Sequence, residues 1–242
     1  MPGTAIFDLD RTITRLATWT PFLFYVNGMR PGFLVQIPLI ALRMIGYKLG
    51  LCSRDSIKEH GLRTLACHDR ATLEARAKAF IDRRLATGLR PGALAVIEAH
   101  RARGDRLIMA TASIDVVADA LGRALGFDEV VSTRLKWGAD GVHPEMDGPN
   151  CYGAEKLRRI DEARRRRPFE GPVYAYSDDI SDFELLCQVD HGVAVNPTPA
   201  LRRAAQARGI EIADFDQQPL VLFGQAFTND AAIPVNARGS RL

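Results

Sequence analysis

Short apolar runs that stop abruptly at polar residues recur along this chain: Thr4-Ala5-Ile6-Phe7, Arg106 to Ala110, Val130-Val131-Ser132, Val173 to Tyr176 and Gly192 to Val195. Strands buried on both faces need continuous apolar runs of this kind. Helical patterns lie between them. Pro91 opens one and Gly104 follows its end, and Ser113 reads as the N-cap of another that carries Val117, Leu121, Ala124 and Leu125 at helical spacing. Leu157 to Arg166 and Ser181 to Val189 give two more. The alternation predicts an α/β fold with a Rossmann-like, doubly wound parallel sheet. Ligands bind such sheets at the carboxyl ends of the strands, which is where the polar residues of this chain collect.

One stretch breaks the pattern. From about Arg15 to Leu85 the periodicity is helical and no strand is convincing. The simplest organisation is a core of residues 1–14 and 86–215 with a helical domain, 15–85, inserted after the first strand. Residues 216–242 form a C-terminal extension, polar and poorly patterned after Gln225, where fraying or disorder is expected. Trp137-Gly138-Ala139-Asp140-Gly141 reads as a hairpin turn.

Composition narrows the classes. The 242 residues, 47% hydrophobic and 25% charged, suit one large domain or one domain with an insertion. A net charge of +3 gives no reason to expect a nucleic-acid partner. The run Arg164 to Arg167 ends a predicted helix, where cations suit the helix dipole. Cys52, Cys67, Cys151 and Cys187 contain no C-x-x-C pair, which argues against a zinc ribbon or redox motif and fits a reducing compartment. The five histidines (His60, His68, His100, His143, His191) show no metal-ligand spacing. Asp8 stands where a signal peptide needs apolar residues, so a cytoplasmic location is expected. The greasiest region has uncharged intervals of 14 residues (Leu16 to Met29) and 12 (Pro31 to Leu42), against about 20 for a membrane span.

Four polar clusters carry the candidate chemistry. Asp8-Leu9-Asp10-Arg11-Thr12 follows the first strand. Two carboxylates at i and i+2 can divide labour, one ionised and one protonated, although Asp-x-Asp also fits a plain strand exit. Thr111-Ala112-Ser113 follows the second strand and suits an anion such as phosphate, or an ordinary helix cap. Lys156 sits early in a helix, where most lysines are solvated. Ser177-Asp178-Asp179-Ile180-Ser181-Asp182 gathers three carboxylates within five residues. They repel one another unless hydrogen bonds or a hard divalent cation offset the charge, and oxygen ligands favour magnesium.

Acid pair, hydroxyl, lysine and acid cluster occur in that order, three of them directly after predicted strands. The chain thereby resembles the haloacid-dehalogenase-like (HAD) phosphohydrolase superfamily, over most of residues 4–215. The resemblance implies that Asp8 is the nucleophile, forming an aspartyl-phosphate, and that Asp10 is the general acid and base. It implies that Thr111 and Ala112 bind the phosphoryl oxygens and that Lys156 neutralises their charge. Mg2+ would be held by Asp8, Asp178 and the backbone carbonyl of Asp10, with Asp182 and Asp179 behind these ligands orienting them. Arg11 departs from the family's usual Gly or Ser, which puts close packing there in question, and Ser177 replaces its usual Gly.

The inserted helices resemble a C1-type cap and place the chain near subfamily IB, the phosphoserine-phosphatase-like branch. Serine-specific members carry a Glu shortly after the first motif, whereas Ile13 to Trp19 contains no acid. Between Arg15 and Arg63 there are seven Lys or Arg and two acids, Asp55 and Glu59, interleaved with Phe22, Phe24, Phe33, Leu34, Ile37, Leu39 and Ile40. A basic apolar cap could rest on anionic lipid headgroups, peripherally on the inner face of a membrane. The stretch Trp19 to Leu51 looks like the cap of bacterial phosphatidylglycerophosphatase C and its relatives. An ordinary cap that buries its own core reads equally well. The expected function is a Mg2+-dependent phosphomonoesterase acting on a small organic phosphate, such as an amino-alcohol phosphate. The alternatives are a lipid phosphatase acting on phosphatidylglycerophosphate and, in another class, a catalytically idle membrane-surface module. The oligomeric state is not legible.

Overall fold

A computed structural model describes residues 2–66, 68–85, 87–217 and 220–227. The chain opens with strand β1 (Thr4–Phe7) and one wide turn (Leu9–Ile13). Five helices follow: α1 (Trp19–Asn27), α2 (Pro31–Leu34), α3 (Gln36–Lys48), α4 (Arg54–Arg63) and α5 (Arg70–Leu85). Alternation then resumes with α6 (Pro91–Ala102), β2 (Arg106–Ile114), α7 (Asp115–Ala124) and β3 (Glu129–Thr133). A hairpin, β4 (Leu135–Gly138) and β5 (Gly141–Met146), precedes α8 (Ala154–Arg166) and β6 (Val173–Ser177). The last elements are α9 (Phe183–Gln188), β7 (His191–Val195), α10 (Pro199–Arg208), β8 (Glu211–Ala213), β9 (Leu220–Leu222) and β10 (Gln225–Phe227).

Six strands form one sheet in the order β3-β2-β1-β6-β7-β8, every pair parallel. Successive residues on a strand point to opposite faces, and the core divides accordingly. Ala5, Phe7, Leu107, Met109, Tyr176, Val193 and Val195 join one apolar cluster, which also takes in Val96 and Ile97 of α6 and Val117 and Leu121 of α7. Ile6, Ile108, Ala110, Ala175 and Ala194 join the other, covered by Ile160 of α8, Leu186 of α9 and Leu201 of α10. This is the doubly wound α/β core that the strand runs predicted.

Helices α1 to α5 are inserted between β1 and α6 as a cap. The chain leaves and returns through two adjacent segments: Thr14 and Leu89 form an antiparallel bridge, Arg15 N–H donates to the Gly88 carbonyl (2.9 Å), and Arg90 N–H to the Ile13 carbonyl (2.9 Å). Phe22, Phe33, Leu62, Leu73 and Phe80 are buried in the insertion and continuous with the first core cluster. Phe24, Leu34 and Leu39 are exposed, so the cap buries only part of its apolar content.

Several sequence expectations need correction. Strand β2 runs on to Ile114, so Ser113 lies in the strand and Ile114 occupies the N-cap position of α7. The stretch Ser181 to Val189 splits into a 3-10 turn (Ile180–Asp182) and the shorter α9. The sheet has a sixth strand, β8, that the pattern did not suggest. In the extension, Leu220, Leu222 and Phe227 of the β9–β10 hairpin are buried against the first cluster. The disorder expected beyond residue 227, and Cys67, lie outside the described residues.

Candidate active site

Register brings the motifs together. Phe7 pairs with Met109 on one side and Tyr176 on the other, so Asp8, Thr111 and Ser177-Asp178 stand at the same carboxyl edge of the sheet. Asp8 N–H donates to the Tyr176 carbonyl (2.9 Å), which carries the ladder one residue past β1 and fixes the Asp8 backbone. Leu9, Thr12 and Ile13 then anchor the wide turn by burial, and the Thr12 hydroxyl donates to Asp8 Oδ2 (3.3 Å). Arg11 takes the left-handed region in this turn, at φ +67°. That conformation costs a non-glycine residue about 1–2 kcal/mol, a physical reason for glycine at this place. The Arg11 side chain is exposed and its carbonyl accepts from Arg90 Nε (2.9 Å), so packing is not disturbed.

Lys156 is the centre of charge. It lies in the first turn of α8 and is 3% exposed, and its Nζ donates to Asp8 Oδ1 (2.9 Å) and Asp182 Oδ2 (2.6 Å). Ser177 Oγ donates to the same Asp182 oxygen (2.7 Å), which gives the serine a partner that glycine could not offer. Burial alone would lower the Lys156 pKa, but Asp182 and Asp8 more than offset it and hold the ammonium well above its usual range. Asp8 is pushed up to about 7, by burial first and only partly countered by Lys156. Asp178, 5% exposed, is pushed up to about 8 by burial and by the charge of Asp8.

Asp10 faces the cap. Its Oδ1 accepts the Thr18 N–H (2.7 Å), and the Thr18 hydroxyl lies 3.0 Å from that of Ser113. Burial raises the Asp10 pKa, with the Thr18 hydrogen bonds and the charges of Lys58 and Lys156 opposing. Thr111 is buried and its hydroxyl accepts the Ser113 N–H (3.0 Å). Asp179 turns aside: it caps the 3-10 turn through Ser181 N–H (3.1 Å) and accepts from the Tyr152 hydroxyl (3.1 Å).

Sequence reasoning missed Lys58, which entered only as one of seven cap cations. It is 7% exposed on α4, and its Nζ donates to the Ala112 carbonyl, to Asn150 Oδ1 (2.5 Å) and to the Thr133 hydroxyl (3.4 Å). Asn150 in turn donates to Asp55 Oδ1 on the same helix (3.1 Å), so the core holds two positions of the cap. Burial pushes Lys58 down to about 8, with Asp10 and Asp55 opposing. One signal was available: Lys58 shares a helical stripe with Gly61, Leu62 and Leu65, all buried.

The donor set fits a hard cation. Two recessed carboxylates, Asp8 and Asp178, are each destabilised as anions, and Asp182 Oδ1 is buried without a hydrogen-bond partner among the described residues. Among those residues no cluster of three or more His, Cys, Asp or Glu side chains forms a metal cage. Two carboxylates and a carbonyl suit Mg2+, which keeps waters and shares its shell with substrate phosphate.

Comparison with known proteins shows the family of the chain. A family model described as haloacid dehalogenase-like hydrolase matches residues 5–186. Protein CicA of Caulobacter vibrioides is 33% identical over 191 residues, covering 78% of this chain and 84% of its own. The histidinol-phosphatase of Neisseria meningitidis serogroup C is 24% identical over 229 residues, covering 89% of this chain and 100% of its own. A crystal structure of a Bordetella pertussis Tohama I protein of unknown function superposes with a TM-score of 0.77 at 26% identity, covering 89% of this chain and 99% of that one. With the model spanning most of the sequence and a relative one-third identical across most of both chains, the protein belongs to the haloacid dehalogenase-like hydrolase family.

Proposed function

We propose that the chain is a Mg2+-dependent phosphomonoesterase working through an aspartyl-phosphate on Asp8. The observation that carries this reading is the convergence of Asp8, Lys156 and Asp182, from β1, α8 and the turn after β6, at hydrogen-bond distance in a recessed site. A carboxylate can attack phosphorus only where positive charge offsets the phosphate dianion. Lys156 supplies one such charge beside the attacking oxygen. Magnesium, when bound by Asp8, Asp178 and the Asp10 carbonyl, supplies another and orients the phosphoryl group.

In this reading an Asp8 oxygen attacks phosphorus as the ester P–O bond breaks, and protonated Asp10 gives its proton to the leaving alkoxide. Asp10, now ionised, takes a proton from the water that attacks the aspartyl-phosphate, releasing phosphate and restoring both groups. The Thr111 hydroxyl and Ala112 N–H donate to phosphoryl oxygens. Lys58 positions that end of β2 by holding the Ala112 carbonyl. Asp182 keeps Lys156 aimed at Asp8. Residues 15–85 act as the cap over a core of 1–14 and 86–215.

The substrate class we favour is a small organic phosphate such as an amino-alcohol phosphate. A relative named histidinol-phosphatase, matched along its whole length, supports this, as does a cap that turns hydrogen-bonding groups, Thr18 and Lys58, toward Asp10 and Ala112. The test is phosphate release from a panel of soluble phosphomonoesters and micellar phosphatidylglycerophosphate, with and without Mg2+. Release from soluble esters that requires Mg2+ is the expected result. Preference for the lipid would replace the substrate assignment, and no release from any ester would leave an idle module. In the same assay Asp10→Asn is expected to slow turnover by about 10²–10⁴-fold while Mg2+ affinity stays within a few-fold. Equal loss of metal affinity would make the Asp10 side chain a ligand.

A further inference from the structure

Among the described residues fifteen large apolar side chains are exposed, and eleven of them fall between Phe24 and Leu51. They are not scattered. On α3, Ile37 and Ile40 pack inward against the core cluster, while Leu42 (63% exposed) and Ile45 (55%) face outward, followed in line by Leu49 (68%). A contiguous exposed apolar patch on a soluble fold marks a docking surface.

Charge selects the occupant. From Arg15 to Arg54 the sequence contains no Asp or Glu, yet it carries Arg15, Arg30, Arg43, Lys48 and Arg54. A second copy of this surface would bring like charges together. An anionic lipid surface complements them, and the apolar stripe supplies the insertion that charge alone does not.

A second observation points to the headgroup. Beside the start of α3 lies a groove of about 600 Å³ whose lining includes Asn27, Arg30, Phe33, Leu39, His60 and Arg63. His60 is 5% exposed, and neither ring nitrogen has a hydrogen-bond partner among the described residues. Buried polar groups are seldom left so. A phosphate oxygen in the groove would give the imidazole an acceptor and sit among cations, with apolar Phe33 and Leu39 beside it.

We propose that α3 and this groove form a docking surface for anionic bilayers, the Leu42–Ile45–Leu49 stripe lying in the acyl boundary and a lipid headgroup phosphate entering beside His60 and Arg63. No described helix is long and apolar enough to cross a membrane, so the surface lies on the bilayer. The proposal concerns where the protein sits and is independent of the reaction assigned above.

The test is flotation of the full chain with vesicles of phosphatidylcholine alone or with one-third phosphatidylglycerol. The parent is expected to partition at least about tenfold more strongly to the anionic vesicles, and less so at high salt. Leu42→Glu/Ile45→Glu is expected to abolish binding, with hydrolysis of a soluble ester in the absence of lipid unchanged, since both side chains are exposed and neither belongs to the groups assigned to the reaction. Arg63→Gln is expected to weaken the anionic preference several-fold. Equal binding to both compositions, full retention of binding by the double variant, or a lipid-free dimer that the double variant dissociates would each overturn the proposal.

Discussion

Asp8→Asn is expected to reduce phosphate release by about 10⁴-fold or more in a protein that remains folded. The amide keeps the shape and can still accept from Lys156, but it has no anionic oxygen to attack phosphorus. The fold should tolerate the change well. Asp8 is a recessed carboxylate whose pKa burial drives up to about 7; at neutral pH its charge therefore costs stability that the neutral amide does not. In metal-free buffer the variant should melt no lower than the parent, which separates lost chemistry from lost structure. Turnover at the parent rate would move the nucleophile elsewhere.

Lys156→Met is expected to cost both activity and stability. Its ammonium is the shared hydrogen-bond partner of Asp8 and Asp182. Methionine would leave two recessed carboxylates facing each other without a cation. Removing one partner of a buried ion pair costs about 3–5 kcal/mol, which for a chain of this size lowers the melting temperature by on the order of ten degrees. Lys156→Met/Asp8→Asn should recover part of that loss, because one of the stranded charges is gone. Strictly additive effects of the two changes would mean that Lys156 and Asp8 do not interact as their 2.9 Å separation indicates.

The parts legible in sequence were those set by short-range pattern. Thr4–Phe7 and Val173–Ser177 are apolar runs ending in acids, and both form central strands with their acids at one edge. Strand β8, Glu211–Ala213, was not legible because a three-residue edge strand that opens on Glu211 carries no apolar run of the length the other strands show. Ser113 fits a cap locally, as a serine before an amphipathic helix does; only the parallel register of β2 with β3, which reaches Ile114, overrules it. The stripe of Lys58 with Gly61 and Leu62 signals its burial, but its partner, like that of Thr18, was out of reach for a related reason. Lys58 and the Ala112 carbonyl it holds are 54 residues apart in sequence, and the contact exists only because the cap packs onto the core. Burial of Lys156 was hidden too: in sequence it is one lysine in a helix rich in charge, and only the chain's three-dimensional course sets Asp8 and Asp182 on either side of it.

The most direct test of the account is to quench the parent with acid during turnover of a soluble phosphomonoester in Mg2+, and to locate the phosphoryl group by peptide mass mapping. The account predicts a phosphoryl group on Asp8, more of it in Asp10→Asn if the second half-reaction slows most, and none in Asp8→Asn. Turnover with no phosphorylated peptide, or with the group on Asp178 or Asp182 instead, would contradict it.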